Sequence, residues 1–330
     1  MSIFISIASY EDPFLIDTVK SAFTNAKNPD GLYFGVCAQY KIIEEPDLSF
    51  LPEDQIKIIR YDPETRPGLY RIRAEIASLY TDQDYFFQID SHTMFMQDWD
   101  EILIQEYKEC QKYAGHDKII FSSMFEFNLS DNRKLRRIST IKCNSKDLDN
   151  KDVGILFLLS EDFKFKGENR KFLPNPSMQV GSLFCTGNYL AEVPYNKYMQ
   201  FVGEQIYQSF ATFLCGWDSY QPLIIPIHHD NKDYKQILKE KNIPFTYQSN
   251  NIVNTTLNLI FLNLAFLYND YSIYKVKNAV RKPIDFWSYC GLEKEYKERL
   301  EIVDKILNSE SLPSIAPFMG NFPNAKWMGE

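Results

Sequence analysis

The chain is 330 residues long, 45% hydrophobic and 15% aromatic, with a formal net charge of −8. That length allows one large domain or about two. The excess of acid excludes a general affinity for nucleic acid, which rests on cationic clusters meeting phosphates. The apolar run Leu257 to Leu267 is interrupted by Asn258 and Asn263 and is too short to span a bilayer, so no transmembrane segment is expected. Met1 to Ile7 lack the charged start and the long apolar run of a signal peptide and read as a first strand. Six cysteines without a Cys-x-x-Cys pair suit a reduced, cytoplasmic protein better than a disulfide scaffold.

In chain order, residues 3–8 predict a strand, and Asp12-Pro13 supplies the cap and first-turn proline of a helix whose apolar face is Leu15, Val19, Ala22 and Ala26. Leu32 to Ala38 and Ile56 to Tyr61 read as the next strands. Gly68 opens a second helix, with Leu69, Ile72, Ile76 and Leu79 on one stripe and Arg71, Arg73 and Glu75 off it. Tyr85 to Ile89 is a strand, Trp99 to Tyr113 a helix and Lys118 to Ser122 a strand. Strand and helix alternate as in a mostly parallel α/β sheet flanked by helices. Residues 128–152 are polar, hold the basic run Arg133 to Arg137, and are expected to form a loop or a flap over the site. Residues 153–195 read as short strands and turns, Gly203 to Leu214 as a helix, and Leu223 to Ile227 as a strand ending in His228-His229. From about residue 250 the pattern is helical, at Ile252 to Tyr268 and Leu292 to Leu307, before a tail from Leu312 to Glu330.

Residues 85–92 read Tyr-Phe-Phe-Gln-Ile-Asp-Ser-His, an apolar run that ends in an acid and an imidazole spaced i, i+2. In open α/β sheets ligands bind at the carboxyl ends of the strands. Side chains two apart on a strand face the same side, so Asp90 and His92 can reach one ion. A hard oxygen and a nitrogen suit a divalent ion such as Mn²⁺ that bridges a pyrophosphate. His228 and His229 are adjacent, point to opposite faces of an extended segment, and can supply one further ligand between them. The strand leading directly into His228 favours that residue. One carboxylate and two imidazoles with open positions suit a catalytic ion more than a structural one. Glu204, near the start of its helix, either complements the helix dipole or accepts hydrogen bonds from a sugar hydroxyl. Arg71 and Arg73 are available to a phosphate or remain on a solvated face. Neither a Gly-x-Gly-x-x-Gly nor a Walker A loop occurs, so a nucleotide has to be held by a metal and side chains.

Several of these segments resemble one family in order along the chain. Ile5-Ser6-Ile7-Ala8-Ser9-Tyr10-Glu11-Asp12-Pro13, Gln88-Ile89-Asp90-Ser91-His92 and Trp99-Asp100 resemble the polypeptide and hydroxyproline α-N-acetylglucosaminyltransferases. Glu192-Val193-Pro194-Tyr195 with Phe201-Val202-Gly203-Glu204, Gly216 to Pro222, and Arg281 to Gly291 look like that family's later signatures. The mucin-type polypeptide N-acetylgalactosaminyltransferases are more distantly similar. The resemblance implies a GT-A fold in residues 1–245, with a nucleotide-sugar half to about 125 and an acceptor half after it. A helical extension over 246–330 would pack on that unit. It implies retaining transfer of a sugar, GlcNAc first, from a UDP-sugar donor to a hydroxyl of a protein or glycan acceptor, with Mn²⁺ or Mg²⁺ on the diphosphate. Asp90, His92 and one of His228 and His229 would hold the metal, and Ser91 would lie beside the donor. Ala8, Ser9 and Tyr10 would border the uracil and ribose. Arg73 aligns with the family's arginine better than Arg71, and Glu204 would sit near the donor sugar. The chain departs from the pattern at Gln205, at Gln208-Ser209-Phe210 and at Leu69-Tyr70. Two rivals remain: a sugar-nucleotide-binding protein on the same fold with impaired turnover, and a metal-dependent hydrolase, which the lack of a second carboxylate cluster disfavours.

Overall fold

The computed structural model describes residues 1–65, 67–122, 135–143, 158–166, 172–197, 199, 204–229, 232–244, 262–270 and 274–307. Its centre is an eight-stranded sheet. β1 (Ile3–Tyr10) lies between β2 (Leu32–Gln39) and β4 (Tyr85–Asp90), parallel to both, and β3 (Ile56–Arg60) adds in parallel outside β2. Strands buried on both faces read as continuous apolar runs rather than alternating ones, as β1, β2 and β4 do. Beyond β4 follow β10 (Ser182–Thr186), antiparallel, then β6 (Ile119–Ser122), β11 (Asp218–Gln221) and β9 (Leu173–Pro174). The register pairs Ala8 with Asp90, so the ends of β1 and β4 form one rim.

Helices α1 (Leu15–Thr24), α2 (Leu69–Ala77) and α3 (Trp99–Ala114) cover the sheet. Trp99 is fully buried against Phe87 and Phe95, and its ring N–H donates to the carbonyl of Ala22 at 2.8 Å, fixing α3 to α1. Gly68, at φ 87°, caps α2 in a conformation that a Cβ would strain.

A small second sheet matters most for the site. β5 (Thr93–Phe95) pairs antiparallel with β12 (Ile227–His229), with His229 opposite Thr93. A third pair joins β7 (Leu135–Cys143) to β8 (Leu158–Lys166). α4 (Tyr189–Glu192), α5 (Glu204–Leu214) and α6 (Lys232–Glu240) follow. Residues 262–268 are helical, and α7 (Pro283–Tyr289) and α8 (Glu293–Leu307) come last. Phe210 of α5 packs edge-on to Phe266 and Phe286, and the Trp287 ring N–H donates to the Phe266 carbonyl at 2.9 Å. Among the described residues no helix is long and apolar enough to cross a membrane.

Three expectations are corrected. The first helix starts at Leu15, and its cap residue is Phe14 without a side-chain cap, because Asp12 is engaged elsewhere. Residues 223–226 are not strand: Glu106 accepts the Leu223 N–H at 2.8 Å in a turn, and the strand begins at Ile227. Residues 135–143 form a strand, where a loop was expected, because β8 offers them a partner ladder. Of the two alternatives left open for Arg73, the solvated face is the one that fails, since the residue is buried. The rest of the expected flap, at 128–134 and 144–152, the first part of the expected helix over 252–261, and the tail from 312 lie outside the described residues.

Candidate active site

At the end of β4 the chain turns through Ser91 and His92 into β5. The turn is held from both sides. The Thr18 hydroxyl of α1 donates to the Ser91 carbonyl at 2.8 Å and accepts the Thr93 N–H at 2.9 Å. The Thr93 hydroxyl donates to the Asp90 carbonyl at 2.8 Å. Asp12, fully buried at the start of the β1–α1 connection, accepts from the Ser91 hydroxyl at 2.6 Å and from His92 Nδ1 at 2.8 Å through one oxygen. Its other oxygen accepts the Phe14 N–H at 2.9 Å. A carboxylate on Nδ1 fixes the tautomer and leaves His92 Nε2 as the bare nitrogen, the usual outer support of a metal-ligating histidine.

That nitrogen faces His229 Nε2 at 3.1 Å, and His229 Nε2 lies 3.0 Å from Asp90 Oδ2. Among the described residues, Asp90, His92 and His229 are the group whose ligand atoms, all within 4.8 Å of one another, could hold a metal. The fit can be tested. Two donors at right angles, each ~2.1 Å from one ion, lie ~3.0 Å apart, which is the spacing of both close pairs. The one-oxygen, two-nitrogen set suits a divalent ion, and the Asp12 support completes it. Of the histidine pair it is thus His229, not the favoured His228, that joins the group. The register with β5 puts His228 opposite Met94, on the other face of β12.

Both side chains are held toward their charged forms. Burial pushes the Asp90 carboxyl up, but the His229 hydrogen bond and the charges of His229, His92 and Arg73 outweigh it and hold the group below the usual carboxylate range. Burial pushes His92 down, and the Asp12 hydrogen bond with the charges of Asp90 and Asp12 wins, raising it.

Behind Asp90 lie Arg73 and Glu204, 2% and 5% exposed. Arg73 Nη2 approaches Asp90 Oδ1 at 3.5 Å. Arg73 Nη1 and Glu204 Oε2 are buried without a hydrogen-bond partner. Buried polar atoms are seldom left unmet, and two of opposite character beside one metal-competent cluster mark a place for a polar ligand. Desolvation pushes the Glu204 carboxyl up to about 7, with the Arg73 charge opposing and the Asp90 charge adding. The first turn of α5 is pinned to α2 by Tyr70, whose hydroxyl donates to the Glu204 carbonyl at 2.9 Å and to Gln208 Oε1 at 3.0 Å. Gln208 in turn donates to the Tyr189 hydroxyl at 2.5 Å. Tyr70 and Gln208, two of the departures noted in the sequence, therefore touch each other.

The remaining expected residues divide. Ala8 sits on the rim beside Asp90. Ser9 is buried on the Tyr40 hydroxyl at 2.6 Å, and the half-buried Tyr10 donates to the Pro244 carbonyl at 2.8 Å. The Ser91 hydroxyl turns inward to Asp12. Arg71 is exposed and pairs with Glu75 at 3.2 Å, away from the cluster. Residues two apart on a helix lie ~200° apart, so Arg71 and Arg73 cannot share a face. Asp12 and Tyr234 were not singled out for the site. An Asp before Pro reads as a helix cap, and Tyr234 carries no signal in the sequence.

The mixed α/β sheet with a metal-competent acid and imidazoles at its carboxyl rim has the GT-A fold of the solved structures it is similar to. Among solved structures, the crystal structure of GalNAc-T7 with UDP, GalNAc and Mn²⁺ is similar at a TM-score of 0.54 and 12% identity, over 90% of this chain. The chain spans 55% of that protein's chain. S. aureus TarS 1–349 gives a TM-score of 0.47 and 7% identity, over 96% of this chain and 77% of that one. No curated protein matches the sequence. The model of the glycosyltransferase (GlcNAc) family matches residues 2–63 and 46–257. The chain belongs to that family.

Proposed function

We propose that the chain is a retaining, metal-dependent glycosyltransferase that moves GlcNAc from UDP-GlcNAc to a hydroxyl of a protein or glycan acceptor. The observation that carries this reading is the Asp90–His92–His229 cluster with the unpartnered Arg73 and Glu204 atoms behind it. Mn²⁺, or Mg²⁺, held by those three residues would supply Lewis-acid neutralisation of the leaving diphosphate. Arg73 adds fixed positive charge beside Asp90. Glu204 accepts from, or donates to, a sugar hydroxyl according to its protonation. Ala8, Ser9 and Tyr10 border the nucleoside at the end of β1. GalNAc-T7, the fold neighbour, holds UDP, GalNAc and Mn²⁺ in its crystal structure, which supports a nucleotide-sugar donor. The catalytic unit on this reading is residues 1–245, with its nucleotide-sugar half to about 125, and 246–330 form the extension. A reduced, cytoplasmic setting is supported by six cysteines that are all free, four of them buried.

Binding without turnover is a second reading with one observation behind it. Gln205 stands where the resembling family pairs a second acid, and its amide is engaged by Ser177 at 3.0 Å. Release of the nucleoside diphosphate from a panel of UDP- and GDP-sugars, with Mn²⁺ and with EDTA, separates the readings. UDP-GlcNAc with Mn²⁺ is expected to react fastest. Nucleotide binding without UDP release supports the second reading, and full activity in EDTA overturns the metal-dependent one.

A further inference from the structure

Five residues beyond His229, Tyr234 of α6 returns to the cluster. Its ring stacks on His92 with centroids 5.0 Å apart and planes at 23°. Its hydroxyl donates to the carbonyl of Tyr10, the last residue of β1, at 2.8 Å. The same segment seals the rim further along. Tyr234, Leu238 and Ile243 form an apolar cluster, apart from the main core, against Tyr10, Phe14 and Ile43. The Tyr10 hydroxyl closes it on Pro244.

We propose that Tyr234 is a positioning residue that sets the ring plane of His92 for metal binding. The inference rests on the metal reading above. The contact from Asp12 to Nδ1 fixes one point of the imidazole and leaves the ring able to swing about that point. A flat ring against its face removes that freedom, and packing in the small apolar cluster, helped by the hydroxyl bond to β1, keeps the flat ring in place. His229 at the end of β12 and Tyr234 in α6 lie five positions apart, so neighbouring elements aim both nitrogens. A flat partner is needed for this, not merely an apolar one. The two functions of the side chain are therefore separable: Y234L keeps apolar bulk in the small cluster without a flat face, and Y234F keeps the face without the hydroxyl.

The experiment titrates the full-length protein with MnCl₂ alone and reads free Mn²⁺ by electron paramagnetic resonance, with thermal unfolding as the control for folding. The parent binds Mn²⁺, and D90A does not. Y234L is expected to bind about tenfold more weakly, the scale of lost outer-shell support, while Y234F stays within about threefold of the parent. The apparent KM for Mn²⁺ should rise in Y234L, with turnover recovering at saturating metal. Unchanged Mn²⁺ affinity in a folded Y234L overturns the proposal, as does an equal loss in Y234F, which would assign the effect to the hydroxyl. If Y234L fails to fold, Y234F against Y234H, a second flat ring, gives the same comparison: both must keep parent-like affinity. A parent that does not bind Mn²⁺ overturns the metal reading itself, and that result is distinct from failure of the Tyr234 arm alone.

Discussion

Asp12 takes three donors on two oxygens while fully buried, and one of those donors is the ring of a metal-competent histidine. D12N keeps the size and offers an amide where His92 needs an acceptor. We expect it to weaken Mn²⁺ binding about 10–100-fold, the scale of outer-shell losses, in a calorimetric titration. The histidine pair should respond unequally. H229A removes a cluster member and should abolish Mn²⁺-dependent turnover, whereas H228A, on the far face of β12, should keep most of it. Equal small losses would show that neither histidine holds the ion. Glu204 gives a pH signature. Its folded value of about 7 stands above the ordinary 4.5, so between those two pH values the folded state binds more protons than the unfolded one. Its contribution to stability is present below pH 4.5, falls as pH rises toward 7 and is flat beyond, with ~1.4 kcal/mol per unit of separation. Urea unfolding from pH 5 to 8 should show E204Q gaining on the parent as pH rises. A constant difference across that range would remove the assignment. The residues of this scale that the sequence exposes are Asp90 and His92, because their spacing on a strand end is fixed by the pleat. Asp12 is hidden, because Asp before Pro has a commoner use.

The elements carry the site in ways that periodicity foretells only in part. The heptad-like stripe places α2 correctly, with Ile72 and Ile76 buried, but it marks only apolar positions. Arg73 lies on the buried side of the same helix, where its charge is met by Asp90, and no apolar count finds it. Gly68 fixes where that helix begins. A Cβ there meets nothing within 4 Å, so G68A carries backbone strain alone, and a loss of about 1 kcal/mol is expected in chemical denaturation. Tyr70 joins α2 to α5 through two hydrogen bonds. Y70F leaves Gln208 Oε1 and the Glu204 carbonyl short of a donor in a buried setting, and about 1–3 kcal/mol of stability should go with them. The same variant should lower turnover more than UDP affinity, since the Arg73–Glu204 spacing relaxes while the cluster is untouched. β12 shows the opposite limit. Its residues were legible as the approach to a histidine pair, but a strand of three residues has no period of its own. Its start, and therefore which histidine faces Asp90, is set by pairing with β5.

For the molecule as a whole, the cluster predicts a coupling between ligand and stability. With Mn²⁺ held constant, UDP at about one hundred times its dissociation constant should add about 2.7 kcal/mol to the unfolding free energy. The thermal shift should vanish in D90A and in EDTA. A shift that survives both would place the nucleotide away from this rim. The sequence by itself determined the parallel half of the sheet, because strands buried on both faces must be continuous apolar runs and the helices between them must be amphipathic. It also determined that an acid and an imidazole stand together at the end of β4, since two residues on one strand end need no long-range contact to be neighbours. The third member of the cluster, the burial of Arg73 beside Glu204 and the stacking of Tyr234 on His92 come from long-range packing alone. His229 meets Asp90 across 139 positions of chain, and Glu204 reaches its place through Tyr70 across 134. Contacts of that span depend on strand register and helix docking, which no local period encodes.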